Sequence, residues 1–139
     1  MLPVKASLGG SPASAASANA YSADYASQNW SIENVENALN EGRGVFVDFT
    51  ATWCATCQLN KISTLKKASV QKAFADNNIV FMVADYTNRD DAITLEIQKY
   101  NRPGVPMYLY YAPGSRTAKV LPQVLSTGLI MDEIEAGAT

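Results

Sequence analysis

The 139-residue chain has two cysteines, no histidine and a net charge of -2, with 47% hydrophobic and 17% charged residues. That is the composition of one globular domain with a core of its own, and it shows neither a basic excess for nucleic acid nor a polybasic run for an anionic membrane. Without histidine the chain cannot assemble a Ser-His-Asp or Cys-His nucleophile or a four-ligand Cys/His zinc site, which leaves two thiols, carboxylates, Lys, Tyr and backbone groups to carry chemistry.

The first segment has little to bury. Ser and Ala fill eight of the ten positions 11–20, so residues 1–24 read as a flexible Ala/Ser-rich arm or linker and 25–139 as the folded domain. The N-terminus lacks the apolar stretch of a signal peptide, and no apolar run approaches the ~20 residues that a spanning helix needs. Beyond the arm, helical and strand periods alternate. An edge strand fits near 25–30. Ser31 caps a helix whose Ile32, Val35, Ala38 and Leu39 share a face, stopped by Gly42 and Gly44. Residues 45–49 form a strand buried on both faces. A helix over 54–66 follows, with Leu59, Ile62 and Leu65 predicted inward. Ser69 opens a short helix that ends at Asn77 and Asn78. Residues 79–84 are a second buried strand, and 90–100 a helix with Ile93, Ile97 and Tyr100 as its stripe. Residues 107–111 form a third strand, Pro113-Gly114 a turn, 119–121 a return strand and 129–135 a closing helix. This alternation predicts an α/β fold with a central mixed sheet between helices.

The chemistry concentrates at Trp53-Cys54-Ala55-Thr56-Cys57, directly after a buried strand and at the start of a helix. Unpaired N–H groups and about half a positive charge at a helix N-terminus favour the thiolate of Cys54, and a pKa drop of ~1.5 units there corresponds to ~2 kcal/mol. Cys57 lies one turn on and can attack a mixed disulfide formed at Cys54. Read instead as a staple, a disulfide closing so short a loop contributes only about 2 kcal/mol. Cu(I) binding by the two soft thiolates is a further alternative. Asp48, six residues before Cys54 in an apolar strand, is expected to be desolvated, with its pKa raised, and able to take the proton of Cys57. The bland alternative is an Asp at a strand end facing water. Val105-Pro106 precedes the third strand. Its backbone could pair with an extended peptide, whereas an ordinary trans turn is the plain reading.

The stretch Val45-Phe46-Val47-Asp48-Phe49-Thr50-Ala51-Thr52-Trp53-Cys54-Ala55-Thr56-Cys57 resembles the active-site region of the thioredoxin superfamily. More narrowly, that stretch, Gln58-Leu59-Asn60, Ala84-Asp85-Tyr86-Thr87-Asn88-Arg89-Asp90, Gly104-Val105-Pro106-Met107-Tyr108 and Val120-Leu121-Pro122-Gln123-Val124-Leu125 resemble the C-terminal periplasmic domain of DsbD/ScsB-type thiol:disulfide interchange proteins. The resemblance implies a thioredoxin fold and a cis Pro106. It implies Cys54 as attacking thiol, Cys57 as resolving thiol and Asp48 as buried acid, with Trp53, Ala55, Thr56, Val105 and Pro106 docking the substrate. The redox-active Cys54-Cys57 pair would serve in place of any cofactor, with no metal. Implied partners are a membrane-embedded Cys-pair domain that donates electrons and a periplasmic domain that accepts them, both in one parent protein, with no nucleic acid and no membrane insertion of this segment. The chain would then be an excised periplasmic domain, tethered to the inner membrane through its arm. Two departures stand out. Many relatives have an acid four positions after the second Cys, where this chain has Lys61. Thioredoxin pairs its buried Asp with a Lys on the next strand, and residues 80–84 offer none. A free-standing thioredoxin-like oxidase or isomerase is the competing enzyme class. The absence of a His between the cysteines favours a reductant, because a strongly stabilised thiolate makes an oxidant.

Overall fold

A computed structural model describes residues 27–137, so the arm at 1–24 lies outside the described residues. In chain order the elements are β1 (Gln28–Asn29), α1 (Ile32–Asn40), β2 (Gly44–Thr50), α2 (Ala55–Asn60) running into a π-helical turn (Lys61–Leu65), α3 (Ala68–Asp76), β3 (Ile79–Asp85), α4 (Asp91–Lys99), β4 (Met107–Tyr111), β5 (Lys119–Leu121) and α5 (Thr127–Gly137). The sheet order is β1-β3-β2-β4-β5. β3 pairs in parallel with β1 and β2, while β4 is antiparallel to both β2 and β5. This is the expected mixed sheet, with a two-residue strand at the edge foreseen near 25–30.

β2 is central, and every one of its residues is buried. Alternation sends its side chains to opposite faces. Val45, Val47 and Phe49 enter a core with Val35, Ala38 and Leu39 of α1 and Ile93 and Ile97 of α4. Phe46 enters a second core with Val70 and Phe74 of α3, Leu65, and Ile130 and Ile134 of α5. There Phe46, Phe74 and Phe81 form a triangle of rings with centroids 5.1, 5.8 and 5.6 Å apart. Phe46→Ala is therefore expected to cost about 3–5 kcal/mol of unfolding free energy, readable by urea denaturation, because so enclosed a site cannot collapse around the void.

Local signals explain most boundaries. Ser31 Oγ accepts from Asn34 N at 2.9 Å. α1 ends in a Schellman arrangement, in which Gly42 N donates to Leu39 O and Arg43 N to Ala38 O, with Gly42 at φ +78° where a side chain would be strained. Gly44 does not stop the helix but opens β2, and a Cβ there would sit 2.8 Å from Tyr111 O. At the predicted turn, Ser115 N donates to Ala112 O at 2.9 Å, with Gly114 at φ +85°, as a Pro-Gly pair favours. Asp90 caps α4 by accepting from Ile93 N. Ser126 Oγ accepts from Leu129 N, which starts α5 before the predicted residue 129.

Three expectations are corrected. Leu59 and Ile62 do not point inward; they are 60% and 68% exposed. The inward face of α2 and its π turn is Cys57, Asn60, Thr64 and Leu65. The rotation of this helix follows its N-terminus, where Cys54 caps it and Cys57 turns inward, not its apolar pattern. Ile32 likewise leaves the apolar face of its helix and is 61% exposed. Finally, α3 begins at Ala68 after an extended Lys67 that makes no side-chain cap, so Ser69 lies within the helix.

Candidate functional site: a disulfide at a strand-to-helix corner

The parallel strands β2 and β3 end at Thr50 and Asp85, beside the start of β4 at Met107, which pairs with Phe49. The carboxyl ends of parallel strands are where α/β sheets place their sites. Three loops meet at this edge: 51–54, 86–90 and the turn before Met107. Cys54 N donates to Ala51 O at 3.2 Å, and Gln58 Nε2 donates to Ala51 O at 3.0 Å. The corner between β2 and α2 is thus closed from both sides.

Cys54 and Cys57 are joined by a disulfide, with Cα atoms 5.2 Å apart. Cys54 is the N-cap of α2, in extended conformation, rather than a first-turn residue. Its Sγ accepts from Cys57 N at 3.1 Å. When the bond is reduced, this amide and the other free N–H groups of the turn face the Cys54 sulfur, which favours its thiolate. Cys54 is 8% exposed and Cys57 2%, so Cys54 is the outer member of the pair.

Asp48 is 2% exposed, and its Oδ1 has no hydrogen-bond partner. Burial lifts its pKa from 3.8 to about 7; the charge of Lys61 pulls it down and that of Asp85 pushes it up. Desolvation of the charged form dominates. A strand-end Asp facing water is therefore not what the fold provides. The cation acting on Asp48 comes from the active-site helix rather than from the neighbouring strand.

Trp53 is 48% exposed and is held by the 86–90 loop. Its Nε1 donates to Thr87 O at 3.1 Å, and the Arg89 guanidinium lies 4.6 Å from its ring centroid. Thr87 Oγ1 accepts from Thr52 N and donates to Asp85 Oδ1 at 2.5 Å. The indole is thereby fixed beside Cys54 as a partly apolar platform. Ala55 and Thr56 are exposed between the cysteines. The Val105-Pro106 peptide is cis. Pro106 is buried, and Val105 packs against the same cluster as Cys54 and Cys57. Trp53, Ala55, Thr56, Val105 and Pro106 were expected from the sequence, and the fold gathers them at one edge; the hold of Thr87 and Arg89 on Trp53 was not.

Sequence-level reasoning named Asn60 only within the Gln58-Leu59-Asn60 stretch of the resemblance and gave it no role, yet this is a fully buried amide one turn after Cys57. Asn60 Nδ2 donates to Tyr108 Oη at 2.8 Å and to Gln123 O at 2.7 Å, and its Oδ1 accepts from Leu125 N at 3.1 Å. Among the described residues no three His, Cys, Asp or Glu side chains converge as a metal site would require, and no helix is long and apolar enough to cross a membrane.

The comparisons agree with this geometry. A family model of thioredoxin-like domains matches residues 26–113. Among solved structures, the oxidised C-terminal domain of DsbD from Neisseria meningitidis is similar, with TM-score 0.61 and 17% identity over 80% of this chain and 99% of that one. A thioredoxin from Thermus thermophilus gives TM-score 0.64 and 17% identity over 83% and 89% of the two chains. Chloroplastic thioredoxin z gives 0.61 and 21% over 82% and 96%. At such identities the likeness is one of fold. No curated protein matches the chain in sequence. A thioredoxin-like domain with a Cys-x-x-Cys disulfide at a strand-to-helix corner has the architecture of a thiol:disulfide oxidoreductase, and the chain belongs to the thioredoxin-like family.

Proposed function

We propose that this domain is a reductant, relaying electrons from one protein dithiol to another protein's disulfide through Cys54 and Cys57. The observation that carries the exchange chemistry is the asymmetry of the pair: an outer sulfur fed by a helix-terminal amide and an inner, more deeply buried one. Reduced Cys54 attacks the partner's disulfide. Cys57 then attacks Cys54 Sγ, giving its proton to Asp48, and the partner leaves reduced. The partner's extended segment lies against Trp53, Ala55 and Thr56 on one side and Val105 and Pro106 on the other. Exposed Leu59 and Ile62 extend the apolar surface beyond the disulfide.

The direction rests on Ala55-Thr56, which places no charge or imidazole between the cysteines to hold a thiolate strongly. The relay reading rests on the resemblance to DsbD-type C-terminal domains. In it the electron donor is a membrane-embedded Cys pair, the acceptor is a further periplasmic domain, and the Ala/Ser arm is the tether. The redox disulfide is the only cofactor that this chemistry needs. Equilibration with glutathione buffers, followed by thiol alkylation and mass measurement, tests the direction. The expected potential lies near thioredoxin's, about -270 mV, and a value near about -120 mV would make the domain an oxidant instead.

A further inference from the structure

The redox reading leaves Asn60 unused, yet the fold spends heavily on it. Asn60 is 1% exposed, and all three of its side-chain bonds leave its own helix, one to β4 and two to the loop at 122–125. Burial alone does not explain this choice. The same helix leaves Leu59 and Ile62 in solvent while it turns Asn60 and Thr64 inward, although apolar side chains are the ones that gain by burial. A buried amide is tolerated only where all its bonds are met, and it then dictates one geometry. The helix also changes to a π turn directly after Asn60, a form concentrated at functional sites.

The partners connect Asn60 to the rest of the site. Tyr108, whose hydroxyl accepts from Asn60, stands opposite Asp48 in the β2–β4 register. Gln123, whose carbonyl accepts the second bond, reaches back with its side-chain Nε2 to 3.5 Å from Pro106 O. One side chain thus ties the turn after Cys57 to the neighbour of the buried acid and to the loop that borders Pro106.

We infer that Asn60 is a positioning residue for the resolving step, acting through Cys57 and not on the substrate. The inference rests on the exchange chemistry proposed above. In that step the Cys57 sulfur attacks Cys54 Sγ as its proton passes to Asp48. The Cys54–Cys57 bond forms, the Cys54–partner bond breaks, and its electron pair leaves on the partner's sulfur. The first attack uses only Cys54, which caps α2 through the Cys57 amide, a bond that does not involve Asn60. The second needs Cys57 in line with the Cys54–partner bond, and misplacement by about 1 Å can cost on the order of a hundredfold in rate.

The two steps separate in one experiment with the aromatic disulfide 5,5′-dithiobis(2-nitrobenzoate). Fully reduced chain releases one thionitrobenzoate as Cys54 attacks and a second as Cys57 resolves. Asn60→Ala is expected to keep the first release within about twofold of wild type and to slow the second by about tenfold or more, a positioning loss. Tyr108→Phe keeps the ring in the core and removes one of the three bonds. It should slow the second release by a smaller factor and leave the first unchanged, and it decides the matter if Asn60→Ala does not fold. Ile134→Ala, which opens the core that holds neither cysteine, serves as control: lower stability, both releases unchanged. If Asn60→Ala and Tyr108→Phe lower stability but leave the second release at the control's rate, or slow both releases alike, Asn60 only holds the fold together and the inference fails. A wild-type chain that releases no second thionitrobenzoate contradicts the exchange reading itself, a separate outcome.

Discussion

Cys57→Ala, reduced and mixed with a disulfide-bonded protein, is expected to accumulate a covalent complex through Cys54, whereas Cys54→Ala captures little. Burial and electrostatics both set this order. Cys54 is the helix cap, with its sulfur facing the Cys57 amide, and it is the more exposed of the two at 8% against 2%. The free N–H groups at the helix N-terminus favour the Cys54 thiolate once the bond is reduced, whereas an ordinary Cys is only about a few per cent thiolate at pH 7. Cys57, enclosed in apolar surroundings, gains no such help. We expect captured complex from Cys57→Ala to exceed that from Cys54→Ala by about tenfold, following the thiolate fractions. Non-reducing electrophoresis and mass measurement of the adduct check it. Equal capture by both variants would reverse or abolish the assigned order.

Asp48→Asn is expected to stabilise the domain at alkaline pH while slowing its resolving step. The sign follows from the pKa, which burial raises from 3.8 to about 7. For a carboxyl the folded state then holds its proton where the unfolded chain has lost it. Below pH ~4 both states are protonated and the site costs nothing. Between pH ~4 and ~7 stability declines with rising pH, and above ~7 the folded state bears a buried charge. A shift of about three units corresponds to roughly 4 kcal/mol at most. Asn, which cannot ionise, removes that penalty. Urea unfolding should show Asp48→Asn more stable than wild type at pH 8 and nearly equal at pH 4. Resolution of the Cys54 mixed disulfide should slow by about 10²-fold or less at pH 7, the usual range for a lost general base. Lys61→Met tests the same electrostatics from the other side: without the cation that favours the carboxylate, the Asp48 transition moves to higher pH. Unchanged resolution by Asp48→Asn between pH 6 and 8 would remove the carboxyl from proton transfer.

Much of this site was legible in the sequence because its strongest signals are local. A fully apolar run interrupted by one Asp, then Trp-Cys-x-x-Cys, then helical spacing describes a buried strand meeting a helix, and β2 and α2 follow it. Residues 79–84, another apolar run, give the parallel neighbour. What escaped depends on contacts across the chain. Leu59 and Ile62 satisfy a helical apolar pattern, yet the rotation of α2 is set at its N-terminus by Cys54 and Cys57, so those residues face outward. Asn60 bonds Tyr108, Gln123 and Leu125, 48 to 65 residues away, and no spacing rule links them. Lys61 stood out only as a departure from relatives, and its charge acquires meaning once the fold places it near Asp48. The grip of Thr87 and Arg89 on Trp53 likewise needs the ends of β2 and β3 side by side.

The central claim is that Cys54 and Cys57 form a reversible dithiol couple acting on protein disulfides, and a single-turnover exchange tests it most directly. Reduced wild-type chain, freed of small thiols, is mixed with an equimolar disulfide protein, quenched in acid, alkylated and weighed. The expected result is one Cys54–Cys57 disulfide formed for each partner disulfide reduced, with no exchange by the double variant Cys54→Ala/Cys57→Ala. Persistence of both thiols in the wild-type chain, with the partner still oxidised, would contradict it.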